Sequence, residues 1–273
     1  MPPKNATTRS KKNKQKKKNA LSQEERNTPH SQKKVVLPVS PLHVRIYRFN
    51  PHLDFSPRTH EYKLVEKEGE SILDLLTRIK HTQDGSLTYR GNCGNGKCGA
   101  CGIKVNGKEV LGCLTKVKDV IDTHNGLRID PLHEKVLKDL AVDETSFFNE
   151  LMSVKPWMVL RPNDAKRKNR IGKKEVDALD KTAFCNLCGI CTAATGTSFN
   201  GKLGPASIVK AYRYIHDSRD GDVERINQLT EAFPVSYSIS LADTCPRDIH
   251  PGKKTQLLEK ETKRMMERKK LSP

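Results

Sequence analysis

Eight cysteines divide into two groups of four with none left over. Cys93, Cys98, Cys101 and Cys113 follow C-x4-C-x2-C-x11-C, a spacing that serves a [2Fe–2S] cluster. Cys185, Cys188 and Cys191 follow C-x2-C-x2-C, and Cys245, followed by Pro246, completes a second quartet. That set reads as a [4Fe–4S] site whose fourth ligand arrives from a distant Cys-Pro. Two such quartets on one chain, with no other recognisable chemistry, point to an electron conduit.

A cluster core with four thiolates is an anion, and the chain around it has to tolerate that charge. Glycines 91, 94, 96, 99, 102, 107 and 112 lie within or beside the first quartet. They permit positive φ and close backbone approach, so amide N–H groups can aim at sulfur. Zinc also accepts four thiolates, but its structural sites use paired C-x2-C knuckles, which x4-x2-x11 is not. For the second quartet the competing reading is three buried free cysteines plus one unrelated, with a three-ligand [3Fe–4S] core as a further alternative. A disulfide framework would compete for the same sulfurs, so the spacing argues for a reducing compartment. Gly91, Gly96 and Lys97 open a phosphate-loop pattern, but Cys98 stands where a magnesium-binding hydroxyl is needed, so nucleotide binding is rejected.

Net charge is +18, and half the excess sits in residues 1–34, where eleven Lys and Arg face Glu24 and Glu25. That aromatic-free segment cannot bury enough surface to fold, and residues 1–41 are expected to be a disordered basic tail. Smaller basic clusters recur at Lys166–Lys174 and Lys263–Lys270. We read this charge as solvated. An anionic membrane surface or nucleic-acid contact would rest on charge alone. The tail lacks the apolar face of a mitochondrial transit peptide. No stretch is long and apolar enough to span a membrane, so any membrane association is expected to come through a partner. The nine histidines show no C-x-H or H-x3-H pairing, which excludes a Rieske centre and leaves each as a surface or capping residue. Trp157 is read as packing, and Tyr212, Arg213, Asp217, Arg219 and Asp220 as a local ion network.

Pattern along the chain gives the organisation. His43–Phe49 alternates as a half-buried strand, and Glu61–Glu66 reads as its hairpin partner. Ser71 caps a helix over Ile72–Lys80, with Ile72, Leu75, Leu76 and Ile79 at helical spacing. After the cysteine loop, Asn106–Gly107 turns between Ile103–Val105 and Glu109–Leu114 as a hairpin. This order predicts an α+β chain whose N-terminal part, residues 42–135, is a β-grasp plant-type ferredoxin domain. Helical patterns dominate beyond it, at His133–Val142, Glu144–Val154, Pro205–Tyr214, Asp222–Ala232 and Lys253–Lys270, with a basic surface connection at Arg161–Lys174. Residues 136–273 are therefore expected to form an all-α bacterial-ferredoxin-like domain.

These residues together resemble the iron–sulfur subunit of succinate dehydrogenase and fumarate reductase. The resemblance spans about residues 43–260 and is carried by LTYRGNCGNGKCGACGIKV (87–105), IDPLHEKVLKDLAVDETSFFNELMSVKPWM (129–158) and GPASIVKAYRYIHDSRD (204–220). It implies that Cys93, Cys98, Cys101 and Cys113 ligate [2Fe–2S], and that Cys185, Cys188, Cys191 and Cys245 ligate [4Fe–4S]. It implies an electron-transfer subunit, itself without catalytic residues, docked on an FAD-containing flavoprotein that handles succinate or fumarate, with a membrane anchor subunit as a further partner and no nucleic acid. The expected place is the cytoplasm, peripheral on the inner face of a membrane through partner subunits.

The chain departs from that family at the third, quinone-side cluster. The cysteines of the [3Fe–4S] site would stand at Thr195, Val235 and Leu241, the following Pro is Gly196, and of the usual quinone-lining aromatics only Phe199 remains in this region. No [3Fe–4S] cluster is expected. The downstream partner is then a non-standard one; the alternative is an iron–sulfur relay for a different flavoprotein or for a thiol- or ferredoxin-linked, non-quinone partner. A basic binding protein with structural metal sites is the alternative of another class.

Overall fold

The computed structural model describes residues 41–122, 126–159, 170–179, 181–196, 203–222, 224–230, 233, 235 and 238–271. The basic tail, most of the connection beginning at Arg161, His124 and Phe199 lie outside the described residues. Alternation builds the first strand. In β1 (Leu42–Arg48), Leu42, Val44, Ile46 and Arg48 are buried while the residues between them face outward. It pairs antiparallel with β2 (Arg58–Leu64), Val44 standing opposite Tyr62. Helix α1 (Ile72–Thr82) starts at a capping box in which Ser71 Oγ accepts the Asp74 N–H and Asp74 accepts back from Ser71. Its Ile72, Leu75, Leu76 and Ile79 are all buried on one face of the sheet, each worth roughly 1.5–3 kcal/mol. The Asn106–Gly107 turn joins β3 (Gly102–Val105) to β4 (Lys108–Leu111), with φ of 48° and 81° suiting the tight hairpin type.

A fifth strand, β5 (Leu127–Asp130), closes the sheet in the order β2-β1-β5-β3-β4. It runs parallel to β1 and antiparallel to β3, reaching the sheet through the one-turn helix α2 (Val117–Val120). Both flanks of β5 are occupied, yet four residues carry too little pattern to stand out in the sequence.

The expected helix over His133–Val142 is not formed. The segment is a small hairpin of β6 (Val136–Lys138) and β7 (Ala141–Val142). Asp139 explains the difference. It turns the chain at φ 49°, and its buried carboxylate accepts from Arg48 Nε at 2.9 Å and from the Phe49 and Thr88 amides at 3.1 and 2.9 Å. The Asp139 and Leu140 amides donate to Phe49 and Thr88 carbonyls, pairings a helix would forbid. Arg48 also pairs with Asp84 and, at 2.6 Å, with Tyr62 Oη.

The second half is helical. α3 (Thr145–Ser153) packs on α6 (Pro205–Ile215), which enters through Pro205 in its first turn. The end of the basic connection is the short α4 (Lys173–Ala178), whose Glu175 takes the Gly172 and Ser218 amides. α5 (Ile190–Ala194) takes in the last cysteine of the second run, and α7 (Arg225–Thr230) starts three residues later than the helix expected from Asp222. α8 (Pro251–Leu271) packs on α6 and α7 around Val154, Ile208, Ala211, Tyr212, Leu229, Ala242 and Leu258. Ser40–Pro273 forms one compact unit of mixed sheet and helices, an α+β fold. Among the described residues no helix is long and apolar enough to cross a membrane.

Asp139→Ala should leave the Arg48 guanidinium short of a buried partner and destabilise the chain by about 3–5 kcal/mol, read as a lower urea midpoint. Asp84 is held well below the usual carboxylate range: burial opposes this, but hydrogen bonds from Ser86, Tyr62 and Arg48 prevail. A carboxylate depressed on folding contributes stability above its unfolded pKa of about 4 and loses it as pH falls further. Asp84→Asn should therefore cost stability at neutral pH and flatten its fall on acidification, measured by denaturation across that range.

Candidate metal centres

The first quartet occupies the loop between α1 and β3 and the residue just past β4. Cys93 and Cys98 are half-buried, Cys101 and Cys113 buried. Gly94, Gly96 and Gly99 all sit at positive φ, between 66° and 75°. That geometry folds the loop so that amides face sulfur. The Gly96 N–H donates to Cys113 Sγ at 3.2 Å, the Lys97 and Cys98 amides donate to Cys93 Sγ at 3.3 Å, and the Cys113 amide to Cys101 Sγ at 3.4 Å. The amide of Asn95, with those of Cys98 and Lys97, draws the Cys93 thiol down to about 6, whereas burial pushes Cys101 up to about 12. A bound metal ion supplies the charge that strips such a buried thiol of its proton.

The second quartet is built around two left-handed residues. Cys185 closes a 3-10 turn at Thr182–Phe184. Leu187 at φ 57° and Gly189 at φ 75° bend the chain on either side of Cys188, and Cys191 lies in the first turn of α5. Cys245 follows a second 3-10 turn at Leu241–Asp243, and α8 starts six residues later. All four cysteines line one cavity of about 350 Å³, its mouth included, walled by Leu187, Ala206, Val209, Pro246, Ile249 and Pro251. Burial pushes Cys188 up to about 12 and Cys191 well above its ordinary value, and raises Cys185. Lys210 Nζ donates to the Cys185 carbonyl at 3.2 Å, so a cation stands beside this site. Among the described residues no three His, Cys, Asp or Glu side chains close on a point where one bare ion would sit.

The two sites touch through main chain. A Cβ on Gly99 would lie 2.8 Å from the Asn186 carbonyl and 3.0 Å from Cys188 Cα, and one on Gly102 would lie 3.1 Å from the Cys188 carbonyl. Cys101 and Cys113 share one buried cluster with Cys188, Leu73, Leu111, Leu132, Ile190 and Ala193. Asn186 Nδ2 donates to the Gly96 carbonyl at 3.0 Å, a link that the cysteine spacing does not announce.

The remaining sequence candidates fall elsewhere. Lys97 gives its amide to sulfur and its loop leads into a strand, so no phosphate cradle forms. Asp217 joins Arg213 and Arg219 at 2.6 and 2.7 Å in the expected ion network. Trp157, expected to pack, has an exposed side chain, while its carbonyl accepts from Arg225, a fully buried guanidinium that sequence reading overlooked. His133 is buried rather than on the surface; its Nδ1 accepts the Lys135 amide at 3.2 Å, and burial pushes its pKa down to about 4. At the family's third-cluster positions, Thr195 Oγ1 donates to the Thr192 carbonyl at 2.9 Å, Val235 packs into the helical core, and Leu241 is exposed.

Residues 43–149 match a family model described as a 2Fe-2S iron-sulfur cluster binding domain. The chain is 34% identical over 227 residues to the mitochondrial iron-sulfur subunit 1 of succinate dehydrogenase [ubiquinone] from Oryza sativa subsp. japonica, covering 79% of this chain and 80% of the relative. In structure it is similar to a chain of the Mycobacterium smegmatis Sdh1 complex in the apo form, with a TM-score of 0.69, 22% identity and coverage of 81% of this chain and 95% of that one.

Gly99→Ala should separate the two cysteine loops, because backbone atoms block the added methyl. Gly94→Ala meets nothing within 4 Å and carries only the strain of positive φ. Iron content after anaerobic purification should fall sharply in the first variant and much less in the second.

Proposed function

Because the chain belongs to the family of succinate dehydrogenase iron–sulfur subunits, we propose that it relays electrons between an FAD-containing flavoprotein subunit acting on succinate or fumarate and a downstream acceptor or donor. Membership makes it an electron-transfer iron–sulfur subunit and part of an oxidoreductase complex. Its own role is wiring rather than catalysis of the dicarboxylate step. The observation that carries this reading is the placement of two sulfur quartets in direct backbone contact. In this reading residues 42–135 are a β-grasp ferredoxin-like domain and residues 136–273 a second domain that, rather than being all-α, opens with the β6–β7 hairpin before turning helical.

Cys93, Cys98, Cys101 and Cys113 would hold [2Fe–2S]. Cys185, Cys188, Cys191 and Cys245 would hold [4Fe–4S] in the cavity they line. When bound, these groups supply one-electron redox chemistry with potentials set by burial and hydrogen bonds to sulfur. The chain's amides offset negative charge at the first site, and apolar walls exclude water at the second. The x4-x2-x11 spacing of the first quartet, unlike paired C-x2-C knuckles, favours a cluster core there over a single zinc.

Thr195, Val235 and Leu241 favour an acceptor reached without [3Fe–4S], and so a partner other than quinone by the family's usual route. No nucleic-acid partner is required. Attachment to a membrane would come through an anchor subunit.

Anaerobically purified protein should contain about six irons per chain and show EPR signals of a reduced [2Fe–2S] and a reduced [4Fe–4S] centre. A [3Fe–4S] signal of full intensity would break the ligand assignment. Zinc in place of iron would end the relay reading.

A further inference from the structure

The two sites meet at one peptide group, the one joining Gly96 to Lys97. Its carbonyl oxygen accepts from Asn186 Nδ2 at 3.0 Å and from Arg247 Nη1 at 3.5 Å, the second contact long and weak. Its N–H, carried by Lys97, donates to Cys93 Sγ at 3.3 Å. Asn186 directly follows Cys185, and Arg247 lies two residues past Cys245, so both donors belong to the loops of the second quartet. A carbonyl oxygen has two lone pairs and can take both. Hydrogen bonds in series polarise one another: density drawn onto the oxygen leaves the N–H more positive. A stronger N–H···S bond favours the more negative, reduced state of the metal centre behind that sulfur.

We propose that Asn186, assisted by Arg247, is a positioning residue for the first site: it orients and polarises the Gly96–Lys97 peptide against Cys93 and so raises the reduction potential of [2Fe–2S]. The second quartet's loop thereby sets a property of the first centre. Arg247 also lines the second cavity, and its permanent charge favours the reduced state on both sides. This inference rests on the reading that the two quartets hold iron–sulfur clusters.

Potentiometric EPR titration of the anaerobically purified full chain, followed separately at each centre, tests it. Asn186→Leu should lower the reduced-to-oxidised ratio of [2Fe–2S] at fixed potential by about 1.3-fold to fourfold, the loss of roughly 10–30% of one charge-assisted bond. A tenfold change would correspond to 59 mV for one electron. The [4Fe–4S] ratio should hold. Asn186→Asp sets a carboxylate against the carbonyl and should lower [2Fe–2S] further, whereas Asn186→Gln keeps a donor and should stay near wild type. Arg247→Gln should lower both centres and Arg247→Lys neither. Equal [2Fe–2S] midpoints in the wild type and the Leu and Asp variants overturn the proposal. If Asn186→Leu does not assemble, the uncharged pair Asn186→Ala and Asn186→Gln decides: Ala below Gln supports it, and equality overturns it. If those fail too, Arg247→Gln against Arg247→Lys decides in the same way for [2Fe–2S]. A wild-type protein without the [2Fe–2S] signal would refute the cluster reading itself.

Discussion

Sulfur-bound negative charge has to be offset without bringing in carboxylates or much water, and the chain does this with main-chain amides. Three glycines in the left-handed region, Gly94, Gly96 and Gly99, turn successive N–H groups inward. Three amide-to-sulfur hydrogen bonds follow from that geometry, and the Cys113 amide adds a fourth from just past β4. A side chain at Gly99 would meet the neighbouring loop's backbone, so the same residue that shapes the first site sets its distance from the second.

Two buried guanidiniums hold the scaffold around this centre. Arg48 gathers Asp84, Asp139 and Tyr62, fixing the end of β1 to the turn after α1 and to the β6–β7 hairpin. Arg225 bonds Asp220 at 3.1 Å and the carbonyls of Val154, Lys155 and Trp157, fixing the exit from α3 to the start of α7. Both networks include a non-glycine residue at positive φ, Asp139 in one and Lys155 in the other. Buried ion pairs of this kind contribute little net stability, but losing one partner leaves a charge stranded. Their service here is to specify where irregular segments lie.

Much of this was legible in the residues. The alternation of β1, the Ser71 cap, the Asn106–Gly107 turn and Pro205 at the entry to α6 each carry a local physical signal, and each element formed where that signal stood. The short β5 carried none, because its four residues gain their place from neighbours on both sides. His133–Val142 misled, since apolar spacing there fits a helix while the tertiary partners Arg48 and Thr88 impose a turn at Asp139. At the candidate site the eight cysteines were evident from spacing, but Asn186, Lys210 and Arg247 were not. A polar residue beside a cysteine declares nothing until the fold shows what it faces.

The glycine seam has one more effect. Electron tunnelling falls off steeply with separation, so a relay must guard the gap between its stations. Between the two proposed stations, carbonyls and an α-carbon come close at Gly99 and Gly102, beside the buried side chains of Leu132 and Ile190. In the proposed relay, a methyl group added at Gly99 would press the two stations' loops apart at the main chain itself.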